Sequence, residues 1–180
     1  MRVIAGEWRG RKLLAPRNDA TRPTADRTRE TLFSMLASRL GSFEGLHVAD
    51  LFAGSGALGI EALSRGAAHC LFGEQDRDAL DALRKNLATL GAGQRAEIRA
   101  GSVLSLGPAP RACDLLLFDA PYGTGAGSVA LDKLARLGWA GPDSWVSIET
   151  ADREAVDVPG FGIEAERRVG KAKLTLLRRA

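Results

Sequence analysis

Between residues 46 and 149, short apolar runs alternate with stretches in which large apolar side chains recur every three or four positions. The runs at 46–52, 68–73, 96–100, 114–118 and 145–149 read as strands, and the most hydrophobic is 114–118. Between them the spacing predicts helices over roughly 57–65, 77–90 and 128–137, the second marked by Leu80, Leu83, Leu87 and Leu90. Upstream, Leu32, Phe33, Leu36 and Leu40 form the stripe of a longer helix, with Thr24 or Asp26 as its cap and Gly41 as its end. Short strands at 2–5 and 11–15 predict a hairpin around Gly6–Gly10. At the other end, Phe161, Ile163 and Ala165, then Leu174 and Leu176 after a turn near Gly170, predict an antiparallel hairpin.

Strand–helix alternation of this kind implies an α/β fold. It predicts a seven-stranded, mostly parallel, doubly wound sheet with a C-terminal antiparallel hairpin and an N-terminal β-hairpin arm. The expected division is a basic arm over 1–22 and a single larger domain over 23–180. In such sheets ligands sit beyond the carboxyl ends of the strands, so the residues just after each strand are the ones to examine.

Composition narrows the classes. The chain has 180 residues, 45% hydrophobic and 26% charged, which argues against disorder or a fibre. Its longest strongly apolar run, Leu115–Phe118, falls far short of the ~20 residues of a membrane span, and no signal-peptide stretch opens the chain. Cys70 and Cys113 lie far apart near apolar runs and read as reduced, buried thiols of a cytoplasmic protein. Two histidines, His47 and His69, sit at strand starts and give no metal-ligand spacing. Nothing is left over to build an oligomer, so a monomer is expected.

Charge is uneven. Residues 1–30 carry eight basic and four acidic side chains, residues 166–180 six and one, and the stretch between them is net acidic. Arginine outnumbers lysine 20 to 5, which suits forked contacts with phosphates and base edges. The basic ends can steer a polyanion if they fold side by side.

The first motif follows the strand at 46–52. Asp50-Leu51-Phe52-Ala53-Gly54-Ser55-Gly56-Ala57-Leu58-Gly59 holds a Gly-x-Gly-x-x-Gly turn, which lets the backbone approach a ligand with helix N–H groups aimed at it. Glu74, just after the next strand, is an acceptor for ribose hydroxyls. Together they indicate a nucleoside-containing cofactor, and a dinucleotide such as NAD fits them equally well.

The second motif, Asp119-Ala120-Pro121-Tyr122, follows the strand at 114–118. It resembles the Asp/Asn-Pro-Pro-Tyr/Phe motif of S-adenosylmethionine (SAM)-dependent methyltransferases that act on exocyclic amino groups. An aromatic amine is a poor nucleophile because its lone pair is delocalised. A carboxylate (Asp119) and a backbone carbonyl (Ala120) can grip its two N–H bonds and aim the lone pair at a methyl group. Tyr122 would stack on the base. Ala120 departs from the motif: the carbonyl stays, the fixed φ of proline is lost.

With the segments Ile4-Ala5-Gly6-Glu7-Trp8-Arg9-Gly10-Arg11-Lys12-Leu13 and Arg22-Pro23-Thr24-Ala25-Asp26-Arg27-Thr28-Arg29-Glu30 added, the chain resembles the RsmD family over about residues 2–178. Those are bacterial small-subunit rRNA (guanine-N2)-methyltransferases. The resemblance implies a Rossmann-like class I SAM-dependent methyltransferase fold, SAM as donor and S-adenosylhomocysteine as product. It implies a guanine of 16S rRNA as acceptor, guanine 966, within the small ribosomal subunit or an assembly intermediate. Carried over by position, Asp50 and the backbone of Ala53, Gly54, Ser55 and Gly56 hold the methionine end and Glu74 the ribose. Gln75 flanks the adenine, and Ser102 with the Val103 N–H reads its edge.

Arg9, Arg11, Lys12, Arg22, Arg27 and Arg29 are the expected RNA contacts, Arg9 and Arg11 on one face of an extended strand. Trp8 either stacks on RNA or covers the core. Glu149 either lines the base pocket or caps a turn. Asn86 reads as structural, and Asp26 and Glu30 as partners of the nearby arginines. Three alternatives stand beside the resemblance: an N6-adenine methyltransferase, a non-catalytic rRNA-binding assembly factor, and an NAD-dependent oxidoreductase that leaves the second motif unexplained.

Overall fold

The computed structural model of the protein describes residues 1–17 and 23–180. The elements in chain order are α1 (Pro23–Leu40), β1 (His47–Leu51), α2 (Ala57–Ser64), β2 (His69–Glu74), α3 (Arg77–Leu90), β3 (Ala96–Ala100), β4 (Cys113–Phe118), α4 (Ala126–Arg136), β5 (Ala140–Ala151), β6 (Phe161–Val169) and β7 (Ala172–Arg179). The seven strands form one sheet in the order β3-β2-β1-β4-β5-β7-β6. β1 to β5 pair in parallel, while β7 is antiparallel to both β5 and β6. Strand order reverses at β1, with β2 and β3 added on one side and β4 and β5 on the other, which opens a crevice beyond the carboxyl ends of β1 and β4.

Alternation along the central strand explains the two-sided core. Leu115 and Leu117 face a cluster built with Leu32, Phe33 and Leu36 of α1, Ile60 and Leu63 of α2, and Leu80, Leu83 and Leu87 of α3. Leu116 and Phe118 face the other, with Leu131 and Leu134 of α4, Val146 and Ile148. The expected helices and strands match to within a few residues, except that β5 runs from Ala140 rather than 145. A break in register between Cys113 and Leu115 accommodates that extra length. Helix α1 begins at Pro23, whose missing N–H suits a first turn, so Thr24 and Asp26 lie inside the helix rather than at its cap.

The N-terminal hairpin narrows to one antiparallel bridge, Arg2 to Lys12. The reason is competition for its backbone. Glu61 of α2, fully buried, accepts from the N–H groups of Ile4 and Ala5. The Ser64 carbonyl and hydroxyl accept from Glu7 and Trp8. Gly6 is required here: a side chain on it would collide with the Ser64 carbonyl at 1.9 Å. Val3, Trp8 and Leu13 are buried in the same cluster as α1 and α2, so Trp8 covers the core, and the Arg95 guanidinium lies over its ring. Arg9 sits in a turn rather than a strand, which corrects the expected shared face with Arg11, although both side chains are exposed.

Cys70 and Cys113 are buried and unpaired. No helix among the described residues is long and apolar enough to cross a membrane.

Candidate active site

The first motif turns sharply at the end of β1. Phe52 takes φ +63°, the one non-glycine residue with positive φ among those described, a costly conformation for a bulky side chain. Backbone bonds hold it there: the Ala53 N–H donates to the Gly73 carbonyl at 2.9 Å and the Gly56 N–H to the Ala53 carbonyl at 2.8 Å. Asn86 of α3 donates to the Ser55 carbonyl and exchanges bonds with Leu14, tying the turn to the arm.

The motif's glycines serve different ends. Around Gly54 nothing lies within 4 Å of where a side chain would begin, so this part of the turn is open to a ligand. Gly59 instead lets α2 approach β2: a methyl group there would meet the Phe72 ring at 2.4 Å and the Cys70 sulfur at 2.6 Å.

Asp50 has no exposed surface and lies beneath the turn. Its Oδ2 accepts from the Gly59 N–H at 2.9 Å, and Oδ1 has no hydrogen-bond partner among the described residues. Burial pushes its pKa up to about 7, with the Gly59 bond opposing and Glu74 adding to the rise. The expected direct contact with a ligand is therefore corrected: Asp50 shapes the turn from below.

Glu74, at the end of β2, reaches the turn. Its Oε1 accepts from the Gly54 N–H at 2.7 Å, and Oε2 accepts from the N–H groups of Gln75 and Asp76. Gln75 is exposed beside it. Past β3, the exposed Ser102 caps a short 3-10 turn through its hydroxyl, which accepts from the Leu104 N–H. The Val103 side chain is buried in the core beneath, which leaves only its backbone for a ligand.

The second motif adjoins the first. The Asp119 N–H donates to the carbonyl of Leu51, the last residue of β1, at 3.3 Å. Asp119, Pro121 and Tyr122 are exposed and Ala120 is buried. The turn that follows Ala120 is held by side-chain hydrogen bonds. Thr124 donates to the Pro121 carbonyl at 2.7 Å, and the Gly123 N–H donates to Glu154. Tyr122 donates its hydroxyl to Glu149 Oε2 at 2.6 Å. Burial raises the pKa of Glu149, and hydrogen bonds from Tyr122 and with Asp119 oppose the rise. Glu149 is thus the residue that sequence reasoning left between two roles. It belongs with the motif, and its place at the end of the strand beside 114–118 was the available signal.

The basic residues divide. Arg9, Arg11, Lys12 and Arg27 are exposed, while Arg22 lies outside the described residues. Arg29, expected on RNA, is corrected: it is 3% exposed, pairs with Asp26 at 3.0 Å and Glu61 at 3.5 Å, and donates to the Arg2 carbonyl. It locks the arm to α1 and α2.

Comparison with known proteins places the chain in a family. The family described as conserved hypothetical protein 95 matches residues 1–178. The Escherichia coli (strain K12) ribosomal RNA small subunit methyltransferase D is 36% identical over 181 residues, covering 99% of this chain and 90% of that protein. The solved structure of the Escherichia coli protein yhhF has a TM-score of 0.86 at 37% identity, covering 99% of this chain and 97% of that one. Magnesium protoporphyrin IX methyltransferase from Synechocystis, solved with bound SAM, shares the fold at 18% identity, with a TM-score of 0.67 over 91% of this chain and 87% of that one.

Proposed function

The chain belongs to the conserved hypothetical protein 95 (RsmD) family, and from that premise we propose that it transfers a methyl group from SAM to the exocyclic N2 of a guanine in small-subunit rRNA, guanine 966 of the 16S molecule. The observation that carries this reading is the contact between the two motifs. Asp119-Ala120-Pro121-Tyr122 leaves β4 hydrogen-bonded to the end of β1, beside the open face of the glycine turn. A nucleoside-bearing donor and an amine acceptor can therefore meet in one crevice.

SAM supplies an electrophilic methyl group on a sulfonium. The chain supplies the rest by positioning. The Glu74 carboxylate, already turned toward Gly54, accepts from the ribose hydroxyls, and the turn from Ala53 to Gly56 lies against the methionine end. Gln75 and the Ser102–Val103 backbone flank the adenine. Tyr122 stacks on the flipped guanine, an interaction of about 1–3 kcal/mol. Asp119 and the Ala120 carbonyl accept the two N2–H bonds. The N2 lone pair attacks the methyl carbon, the carbon–sulfur electrons leave with sulfur, and N2 releases one proton through Asp119 to water. S-adenosylhomocysteine remains.

A carboxylate acceptor at Asp119 favours guanine over adenine. Guanine presents N1–H and N2–H donors side by side, whereas adenine presents an acceptor at N1 next to its amino group. Asp119, exposed at the end of β4, supplies an acceptor that matches the first edge. Arg9, Arg11, Lys12 and Arg27 bind phosphates outside it.

The test is tritium transfer from labelled SAM to 30S particles that lack the modification, followed by nucleoside analysis. Label in N2-methylguanosine is the expected result. Label in N6-methyladenosine overturns the base, and SAM binding without transfer overturns the enzyme in favour of an assembly factor.

A further inference from the structure

Glu149 is mounted on the sheet, while the groups it touches are not. It lies within β5, opposite Leu174 of β7, between Ile148 and Thr150, which are both buried. Tyr122 and Asp119 belong to the segment that follows β4 and are exposed. An exposed tyrosine, 44% accessible on a segment with glycines at 123 and 125, has several rotamers open to it, and so has an aspartate at a strand end. The phenol donates to Glu149 at 2.6 Å, and Asp119 is the other side chain hydrogen-bonded to the same carboxyl group.

We propose that Glu149 is a positioning residue of the transfer site, one carboxyl group that fixes the Tyr122 ring and the Asp119 carboxyl relative to each other. The proposal rests on the functional reading above. Backbone and side chains are held separately. Glu154 accepts from the Gly123 and Ala151 N–H groups, and Lys173 donates to the Glu154 carbonyl, so that group holds the path of the chain. Glu149 holds the two side chains that are to face the base. A functional group mounted on a loop gains precision when its support stands on a strand. Stacking and amine orientation both depend on that precision, since a displacement of about 1 Å can cost about 10²-fold in rate.

The experiment compares Glu149→Ala, Glu149→Gln, Tyr122→Phe and the Ala/Phe double variant for kcat, KM and SAM affinity on the 30S substrate. Glu149→Ala is expected to lower kcat by about 10²-fold with SAM affinity unchanged. Glu149→Gln keeps an acceptor for the phenol and offers a donor to Asp119, so it recovers most of the rate. Tyr122→Phe is expected to cost little once Glu149 is Ala, because the two act through one contact. Wild-type kinetics in Glu149→Ala, a fully multiplied loss in the double variant, or Gln no better than Ala each overturns the proposal.

A second readout needs no substrate. Tyr122 is the only tyrosine in the chain, so 3-fluorotyrosine incorporated throughout gives one 19F signal. A signal that shifts or broadens in Glu149→Ala and returns in Glu149→Gln supports the tether, and identical signals in all three overturn it. If the wild type transfers no methyl group to guanine, the functional reading fails while this signal still decides the positioning role.

Discussion

Glu74 Oε1 accepts the backbone N–H of Gly54 at 2.7 Å, across twenty residues of chain. The bond joins the end of β2 to the glycine turn that follows β1. It also holds a carboxylate against the backbone of that turn, whose Gly54 has no neighbouring atom within 4 Å of a side-chain position. Glu74→Ala should therefore weaken SAM binding by about 10- to 100-fold, the loss expected for a charged acceptor of one or two hydrogen bonds. Calorimetric titration of SAM measures this directly, and wild-type affinity in the variant would remove Glu74 from the ribose.

Asp119 is exposed at the carboxyl end of β4, with its backbone fixed to Leu51. Asp119→Ala should lower methyl transfer by at least about 10²-fold while SAM affinity stays as in the wild type, because the residue orients the acceptor and not the donor. Transfer at the wild-type rate would exclude it from the reaction.

The motif's glycines should respond unequally. Gly59→Ala places a methyl group 2.4 Å from the Phe72 ring and is expected to cost about 1–3 kcal/mol through overpacking. Gly54→Ala meets no atoms, and its φ of +59° makes the cost one of backbone strain, about 1 kcal/mol. Urea unfolding should rank Gly59→Ala as the less stable variant, and SAM titration should rank Gly54→Ala as the weaker binder relative to its stability.

Asp50 links stability to pH. Its pKa is near 7 in the fold and 3.8 ordinarily, so between these values the folded chain keeps a proton that the unfolded chain has released. Stability from this group is present below the lower value and is lost as pH rises through the higher one, by up to about 1.4 kcal/mol per pH unit. Asp50→Asn keeps an acceptor for the Gly59 N–H and cannot ionise. Its urea midpoint should gain steadily on the wild type from about pH 5 to about pH 7. Parallel pH dependences would show that Asp50 ionises in the fold without cost.

The basic residues should separate into binders and a lock. Replacing Arg9, Arg11 and Lys12 with Ala should weaken RNA binding and reduce the slope of affinity against salt by roughly two to three, leaving the unfolding midpoint in place. Arg29→Ala should instead cost a few kcal/mol of stability, because it strips a partner from the fully buried Glu61. A stable Arg29→Ala protein with weakened RNA binding would return Arg29 to the RNA surface.

Much of the fold was legible in one dimension. Short apolar runs, the alternation of the tail and leucine spacing located the seven strands and four helices of the described residues, because those patterns come from backbone geometry and from burial on a sheet. The glycine turn, Glu74 and Asp119-Ala120-Pro121-Tyr122 were legible too, since their chemistry depends on residue types at short spacing after a strand. The arm was less so. Its alternation suggested a hairpin, but Glu61 and Ser64, more than fifty residues away, took up its N–H groups.

Three assignments belonged to the tertiary structure alone. Arg29 and Arg27 look alike along the chain, yet one is buried against Glu61 and the other is exposed. Asp50 reads as a ligand contact and lies with no exposed surface beneath its turn. Glu149 stands at a strand end with a pocket role and a turn-capping role both open, and the fold decides between them by bringing it to Tyr122 from 27 residues away. Local sequence determines which conformation a segment prefers and which chemistry it carries. Whether a charged side chain ends in water, in the core or against a partner is decided by neighbours that arrive only when the sheet assembles, and the cost of desolvating that charge makes their arrival decisive.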